Sequence, residues 1–181
     1  MSGATFALAR WRAPGRAIPL QAAAYAERAA MRARSPDADL YDLLDGVVDP
    51  EVPVLSLWEL GVLCEVRRDG ACVRVTLTPT YSGCPAFEAM QQAVRAALTA
   101  AGEPNVVIET RLAPPWCSDW LAPSAREKLR AHGVAPPTDD VRCPRCGAAE
   151  TRVVAEFGAT ACQALRRCVA CGEPFPHFKP F

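Results

Sequence analysis

Apolar and polar residues alternate strictly from Val73 to Thr78, with Val73, Val75 and Leu77 on one face and Arg74, Thr76 and Thr78 on the other. That two-residue period predicts a half-buried strand. Beyond Cys84-Pro85 the period changes. Phe87, Met90, Val94, Leu98 and Ala101 recur at spacings of three and four, the single apolar stripe of an amphipathic helix. Upstream, Leu40, Leu43, Leu44 and Val47 share one face of a short helix over residues 40–47 that Asp39 can cap. Residues 62–67 read as a strand, Arg68-Asp69-Gly70 as a tight turn, and residues 71–78 as the antiparallel partner. After the amphipathic helix, Gly102-Glu103-Pro104 breaks the pattern and residues 105–112 supply a third strand. A strand, a crossover helix and a further strand place the helix on one sheet face. The expected fold class is α+β: a small three-stranded α/β sandwich with one helical layer.

The flanks divide the chain further. Residues 1–36 are rich in alanine and arginine and hold one acid, Glu27. They suggest a disordered or weakly ordered extension, with a transient helix over 18–34, although an Arg-rich, acid-poor start also resembles an organellar transit peptide. A start codon placed too far upstream would leave the same pattern. Residues 37–135 form the α+β domain, which closes with a helix from Ser124 to about Ala131 ended by Gly133. Residues 136–142, opening Pro136-Pro137, make a stiff linker. Residues 143–181 form the second domain.

Composition narrows the classes. Half of the 181 residues are apolar and 22% are charged, enough for a core, and no run approaches the ~20 apolar residues of a membrane span. Twenty basic against twenty acidic residues give no electrostatic reason for nucleic acid or an anionic membrane. The expectation is a soluble, cytoplasmic protein. Its nine cysteines then read as metal ligands or reactive thiols before disulfides.

The strongest motif pairs Cys143-Pro-Arg-Cys146-Gly147 with Cys168-Val-Ala-Cys171-Gly172. Two C-x-x-C-G knuckles bring four thiolates to one tetrahedral metal. Residues 147–167 between the pairs slightly exceed the usual ~15–20 and hold a strand over 151–157 and a return strand over 162–167. The expected module is a four-cysteine zinc ribbon whose metal supplies folding energy that so small a core cannot. Zinc is favoured over iron because structural sites of four cysteines commonly hold it. Cys162 is the odd thiol, expected beside that site and outside its ligand set, and His177 belongs to an apolar tail over 175–181. Arg142, Arg145, Arg152, Arg166, Arg167 and Lys179 are nearly balanced by Asp139, Asp140, Glu150, Glu156 and Glu173, so the ribbon suits docking to protein, with Phe175, Phe178 and Phe181 offered for it.

In the first domain the chemistry gathers at Gly83-Cys84-Pro85. Pro85 suits the first helical position, which puts Cys84 at or beside the N-cap, where the helix dipole lowers a thiol's pKa. Asp49-Pro50-Glu51-Val52-Pro53 is a rigid extended loop carrying Asp49 and Glu51, with Glu59 following. Negative neighbours raise a thiol's pKa, so thiolate beside carboxylate makes sense around a cation. Cys64 and Cys72 fall in strands, and Cys117 reads as structural.

Asp49-Pro50-Glu51-Val52-Pro53 together with Thr78-Pro79-Thr80-Tyr81-Ser82-Gly83-Cys84-Pro85 resembles the small iron–sulfur assembly domain of SufT and its eukaryotic cytosolic relatives. Trp116-Cys117-Ser118-Asp119-Trp120, the two knuckles, Glu156-Phe157-Gly158-Ala159-Thr160-Ala161-Cys162 and Glu173-Pro174-Phe175 resemble the PaaD (PaaJ) family, the small D subunits of the phenylacetyl-CoA 1,2-epoxidase system of bacterial phenylacetate degradation. Two features depart from that family: a longer N-terminal extension, and Cys117 where threonine is expected.

The resemblance implies an accessory to a multicomponent oxygenase that helps mature its iron or iron–sulfur centres, with oxygenase or reductase subunits as partners. Cys84 would be the functional thiol and a transient iron or cluster ligand, with Asp49 and Glu51 as its neighbouring carboxylates. One thiol per chain is too few for a stable cluster, so sharing Cys84 between two subunits would make a homodimer or a handover complex. Two alternatives stand beside this: a structural or redox-active oxygenase subunit with iron held by the four knuckle cysteines, and a thiol enzyme using Cys84. The last lacks a base near the turn, since His132 and His177 are the only histidines.

Overall fold

A computed structural model of the chain describes residues 20–181, with side chains from residue 24 onward. Arg10, Arg12 and Arg16, and with them the transit-type reading of the start, lie outside the described residues.

The first sheet has the order β1-β2-β3, with β1 at Leu63–Asp69, β2 at Cys72–Leu77 and β3 at Val106–Thr110. β2 is central: antiparallel to β1, with Val66 opposite Val75, and parallel to β3, with Val75 opposite Ile108. The alternation read from the sequence is the burial pattern of β2, whose Val73, Val75 and Leu77 are buried. Parallel pairing needs a crossover, and the helix α4, Phe87–Ala100, supplies it, burying Met90, Val94 and Leu98. α2, Ala38–Leu44, and the single turn α3, Leu57–Leu60, complete the cover of this core.

α2 begins before the expected Leu40, with Asp37 and not Asp39 at the cap position. Arg68 explains this: its guanidinium holds Asp39 at 2.7 Å and Asp37 at 3.1 Å, tying the helix start to the end of β1. Ser56 caps α3 by accepting the Glu59 backbone N–H while the Glu59 carboxylate accepts that of Ser56, a reciprocal capping box. Gly61 ends α3 at a positive φ, and a Cβ there would lie 2.8 Å from the Trp120 Cβ, so only glycine fits.

The expectation of a weakly ordered extension through residue 36 does not hold for its second half. α1, Leu20–Arg34, is a regular helix anchored by Arg28, which is buried. Its guanidinium donates to the carbonyls of Trp120 (2.6 Å), Trp58 (3.0 Å) and Leu63 (2.9 Å) and lies 4.2 Å over the Trp58 ring. Burial lowers its pKa to about 10, yet three carbonyls and an aromatic face make the site one for a cation.

The second sheet has the order β4-β5-β6, with β4 at Thr151–Ala155, β5 at Gln163–Cys168 and β6 at Pro174–Phe178. The apolar tail is therefore a strand as far as Phe178, and two of its three phenylalanines are not free to dock. Phe175 and Phe178 are each 1% exposed, and Phe181 alone of the three stays half open. The ribbon does not swing on a linker either. Pro136 and Pro137 are buried, the Ala135 N–H donates to the Pro176 carbonyl, and the Phe178 N–H donates to the Ala135 carbonyl, both at 2.9 Å. Trp116 packs its ring 5.9 Å from Phe178, and Cys162 and Phe178 belong to the main apolar core. α5, Pro123–Ala131, starts with its proline in the first turn, and Ser124, expected as its cap, donates instead to the Glu59 carboxylate.

Candidate functional site

The ribbon brings Cys143, Cys146, Cys168 and Cys171 together, with all four Sγ atoms within 4.8 Å of one another. Cys143 and Cys171 lie 3.7 Å apart and Cys146 and Cys168 3.6 Å apart. A tetrahedron with arms of about 2.3 Å has edges of about 3.8 Å, so the donor set fits one thiolate-bound metal ion. Each knuckle turns on a backbone bond, from the Gly147 N–H to the Cys143 carbonyl and from the Gly172 N–H to the Cys168 carbonyl. Both glycines adopt positive φ, as the spacing requires. The Cys171 backbone N–H helps draw the Cys168 thiol down to about 7. The Ala148 amide also pulls on Cys146, but its neighbours Cys171 and Cys168 push it up to about 12. A divalent cation displaces thiol protons as it binds, so four converging sulfurs suit it as thiolates.

Cys84 sits on consecutive turns, its N–H donating to the Tyr81 carbonyl and its own carbonyl accepting from Phe87, each at 3.2 Å. Because the chain turns this way, α4 begins at Phe87 with Ala86 as its cap, later than Pro85 predicts. The thiol is not lowered in pKa, as expected of a cap position, but raised. Burial is the main cause; the amides of Ala86 and Phe87 pull the other way, and the charges of Glu51 and Asp49 add to the rise. Two carboxylates and lost hydration outweigh the helix terminus.

Asp49 is buried and its Oδ1 accepts from the backbone N–H of Glu51 (2.8 Å) and Val52 (2.7 Å). A bridge between Val48 and Ser56 closes the base of this loop. Burial still raises the Asp49 pKa, and Glu51, partly open to solvent, is raised by burial and then by Asp49. The third carboxylate of the stretch has gone elsewhere: Glu59 pairs with Lys128 at 2.8 Å.

Cys162 departs from expectation. It is 4% exposed and lies in the large core shared with the first sheet, whereas Cys143 and Cys168 line the small core of the ribbon. Its Sγ is 3.0 Å from the Thr160 hydroxyl. Burial raises its pKa, Thr160 opposes the rise, and the charges of Glu51, Asp49 and Cys84 reinforce it. The Tyr81 hydroxyl is raised by burial and by Cys84, Glu51 and Cys162. Cys162 thus belongs to the main core, apart from the small ribbon core that holds Cys143 and Cys168. The only hint in the sequence is a cysteine outside C-x-x-C spacing within the Glu156–Cys162 stretch.

The two thiols of the first sheet have local hydrogen-bond partners. Cys64 is buried in β1, 3.1 Å from the Thr78 hydroxyl, and Cys72 donates to the Asp69 carbonyl at 3.1 Å. His132 ends α5, and His177 lies buried in β6.

Comparison with known proteins agrees with this division. Residues 37–109 match the family described as iron-sulfur cluster assembly protein, and residues 129–179 match the PaaD zinc beta ribbon domain. An Escherichia coli protein, named provisionally as the D subunit of 1,2-phenylacetyl-CoA epoxidase, is 43% identical over 150 residues, spanning 78% of this chain and 91% of its own. An Fe-S protein maturation auxiliary factor from Porphyromonas gingivalis is 32% identical over 96 residues, 51% of this chain and 90% of its own. Among solved structures, a domain of unknown function from Bacillus anthracis is 23% identical, with a TM-score of 0.48, covering 57% of this chain and 95% of that one.

Proposed function

The chain belongs to the PaaD family, the D subunits of 1,2-phenylacetyl-CoA epoxidase, and from that premise we propose that it matures the metal centres of a multicomponent oxygenase. Cys84 is the thiol that holds iron or a labile iron–sulfur cluster in transit, and Asp49 and Glu51 supply negative charge beside it. Zinc occupies the four-cysteine ribbon and holds it folded. The partners are the oxygenase and reductase subunits, and the work is done in the cytoplasm. No helix among the described residues is long and apolar enough to cross a membrane.

The observation that supports this reading is the crowding of negative charge around a half-buried thiol. Asp49, Glu51 and Cys84 are each driven toward the protonated form by burial, and Glu51 and Cys84 further by their neighbours' charge. A divalent cation relieves all three at once, and a soft ligand beside hard ones suits iron better than magnesium or calcium. A nucleophile would want the opposite arrangement, with positive charge and a base at hand.

The test is Cys84→Ser, which removes the soft ligand and little volume. Co-expressed with the epoxidase subunits, this variant should leave their yield unchanged while lowering their iron content and activity. Cys72→Ser should change neither. Full iron loading in the presence of Cys84→Ser would overturn the reading.

A further inference from the structure

The outer face of the ribbon carries charge that the fold leaves unanswered. Residues two apart on a strand share a face, and β5 turns Ala164 inward beside the buried His177, so Leu165 and Arg167 point outward. Arg167 has Arg152 directly opposite it on β4 and Pro174 opposite it on β6. Like charges set directly across a strand pair destabilise a sheet. Elsewhere in the ribbon Arg142 pairs with Asp140 at 3.1 Å and Arg145 with Glu173 at 2.5 Å. Among the described residues neither Arg152 nor Arg167 pairs with a carboxylate, and Arg167 gives only its Nε–H, to the Gly172 carbonyl at 3.0 Å. A groove surrounds the two arginines. One hollow of about 430 Å³ is lined by them with Val154, Leu165 and Pro174, and a second of about 310 Å³ shares both arginines and reaches Val169. Val154 is 54% exposed, because the register slips between Val153 and Ala155 and the bulge leaves it out of the ladder. β4 is also the open edge of its sheet, whereas β6 at the other edge is bridged to Ala135.

We propose that this groove docks an extended acidic segment of another polypeptide, an epoxidase subunit. Its carboxylates lie between Arg152 and Arg167, and its aliphatic side chains rest on Val154 and Val169. This builds on the partnership proposed above and gives the ribbon the docking role that its buried phenylalanines do not fill. Charge selects the occupant. A carboxylate between the two guanidiniums turns their mutual repulsion into paired, charge-assisted hydrogen bonds. A second copy of the ribbon would set these arginines against their own like, and the arginine-rich start of this chain fails for the same reason. The positive charge is also local: six basic residues meet five acids over residues 138–181, which suits a short acidic peptide better than a polyanion. The open edge of β4 favours a segment that runs extended beside it.

The experiment co-expresses the full chain with affinity-tagged epoxidase subunits and measures how much of it they retain. Arg152→Glu combined with Arg167→Glu should lower retention about tenfold or more, and Val154→Asp several-fold. Arg130→Glu, exposed on α5, should match the wild type. Arg152 is exposed, so Arg152→Glu alone should keep the fold and its zinc and still lose retention. Loss of zinc in step with retention would mean that the arginines serve the thiolate centre, and the proposal falls. A fluorescein-labelled peptide of alternating aspartate and leucine gives a second readout: the wild type should bind it, the doubly reversed chain about tenfold more weakly. Undiminished retention of the doubly reversed chain overturns the proposal and leaves the partnership standing. If the subunits fail to retain even the wild type while the peptide still separates it from the variant, the groove stands and the partnership falls. Binding of a DNA duplex or phosphatidylserine vesicles tighter than that of the peptide, and lost in the same variant, makes this a phosphate site and also overturns the proposal.

Discussion

The two thiol sets of this molecule are assembled on different plans. Cys143, Cys146, Cys168 and Cys171 come from two local turns that repeat one short motif, and their sulfurs already stand at tetrahedral spacing. Cys84 and Cys162 come from different domains and share the main apolar core only because the ribbon packs against the first one. The first set is a metal site that builds a fold, because the small ribbon core of Ala135, Val141, Cys143, Cys168 and Phe175 has little else to hold it. The second is a set that a fold builds: charges crowd around Cys84, and the surrounding core supplies the stability that the crowding costs.

The sharpest way to break this contrast is to remove one ligand from each set. Cys143→Ser should unfold the ribbon, because structural zinc sites are worth on the order of 10 kcal/mol of folding energy. Zinc content measured on the purified chain should drop below one per molecule, and thermal unfolding should lose its upper transition or shift it down steeply. The seam carries the damage further, so the first domain should also melt earlier. Cys84→Ser should leave both zinc and melting nearly as they were. Equal losses from the two substitutions would abolish the distinction.

A second cut separates the sites without touching a ligand. Phe178 is 1% exposed and bridges Trp116 to the ribbon. Phe178→Ala should cost about 3–5 kcal/mol, as buried aromatic deletions do. The four-cysteine site should keep its zinc, because its ligands sit on local turns. Denaturant unfolding and zinc content together check this. Deletion of residues 138–181 should, for the same reason, destabilise the first domain, contrary to what an independent docking module would predict.

The same contrast governs what is legible in the sequence. The alternation of Val73, Val75 and Leu77, the stripe of α4 and the paired knuckles are local regularities, and each appears where its period places it. Cys162 escapes such placement, because the core it joins is built from residues far along the chain. Arg28 is hidden for another reason. Six arginines in an alanine-rich start look like solvated charge, and nothing local marks the one whose guanidinium meets the carbonyls of Trp58 in α3, Leu63 in β1 and Trp120. The Cys84 thiol shifts opposite to expectation because a helix start predicts a dipole, while burial and distant carboxylates are properties of packing. Phe175 and Phe178 look free for a partner because the strand that buries them pairs with Ala135, upstream of the expected boundary.

The smallest effect tests the crowding itself. Glu51 is the first of the charges that raise Cys84, and its own pKa is raised by burial and Asp49. A carboxyl raised in the folded state contributes stability that is present below its ordinary pKa and lost as the pH climbs through the raised value. At pH 7 Glu51 is charged and costs the fold a little. Glu51→Gln removes that cost, so the metal-free pocket should become slightly more stable, by roughly a few tenths of a kcal/mol, since the side chain is partly exposed. The gain should vanish at about pH 3, where both states carry a neutral glutamic acid. The Cys84 thiol should fall in pKa and be alkylated faster at fixed pH. Co(II) binding should move the other way and weaken, because negative charge beside Cys84 is gone. A stability gain coupled to an affinity loss is the mark of charge held in readiness for a cation. If Glu51→Gln lowered both, Glu51 would be a packing residue of the loop, and the negative crowding around Cys84 would have no bearing on metal.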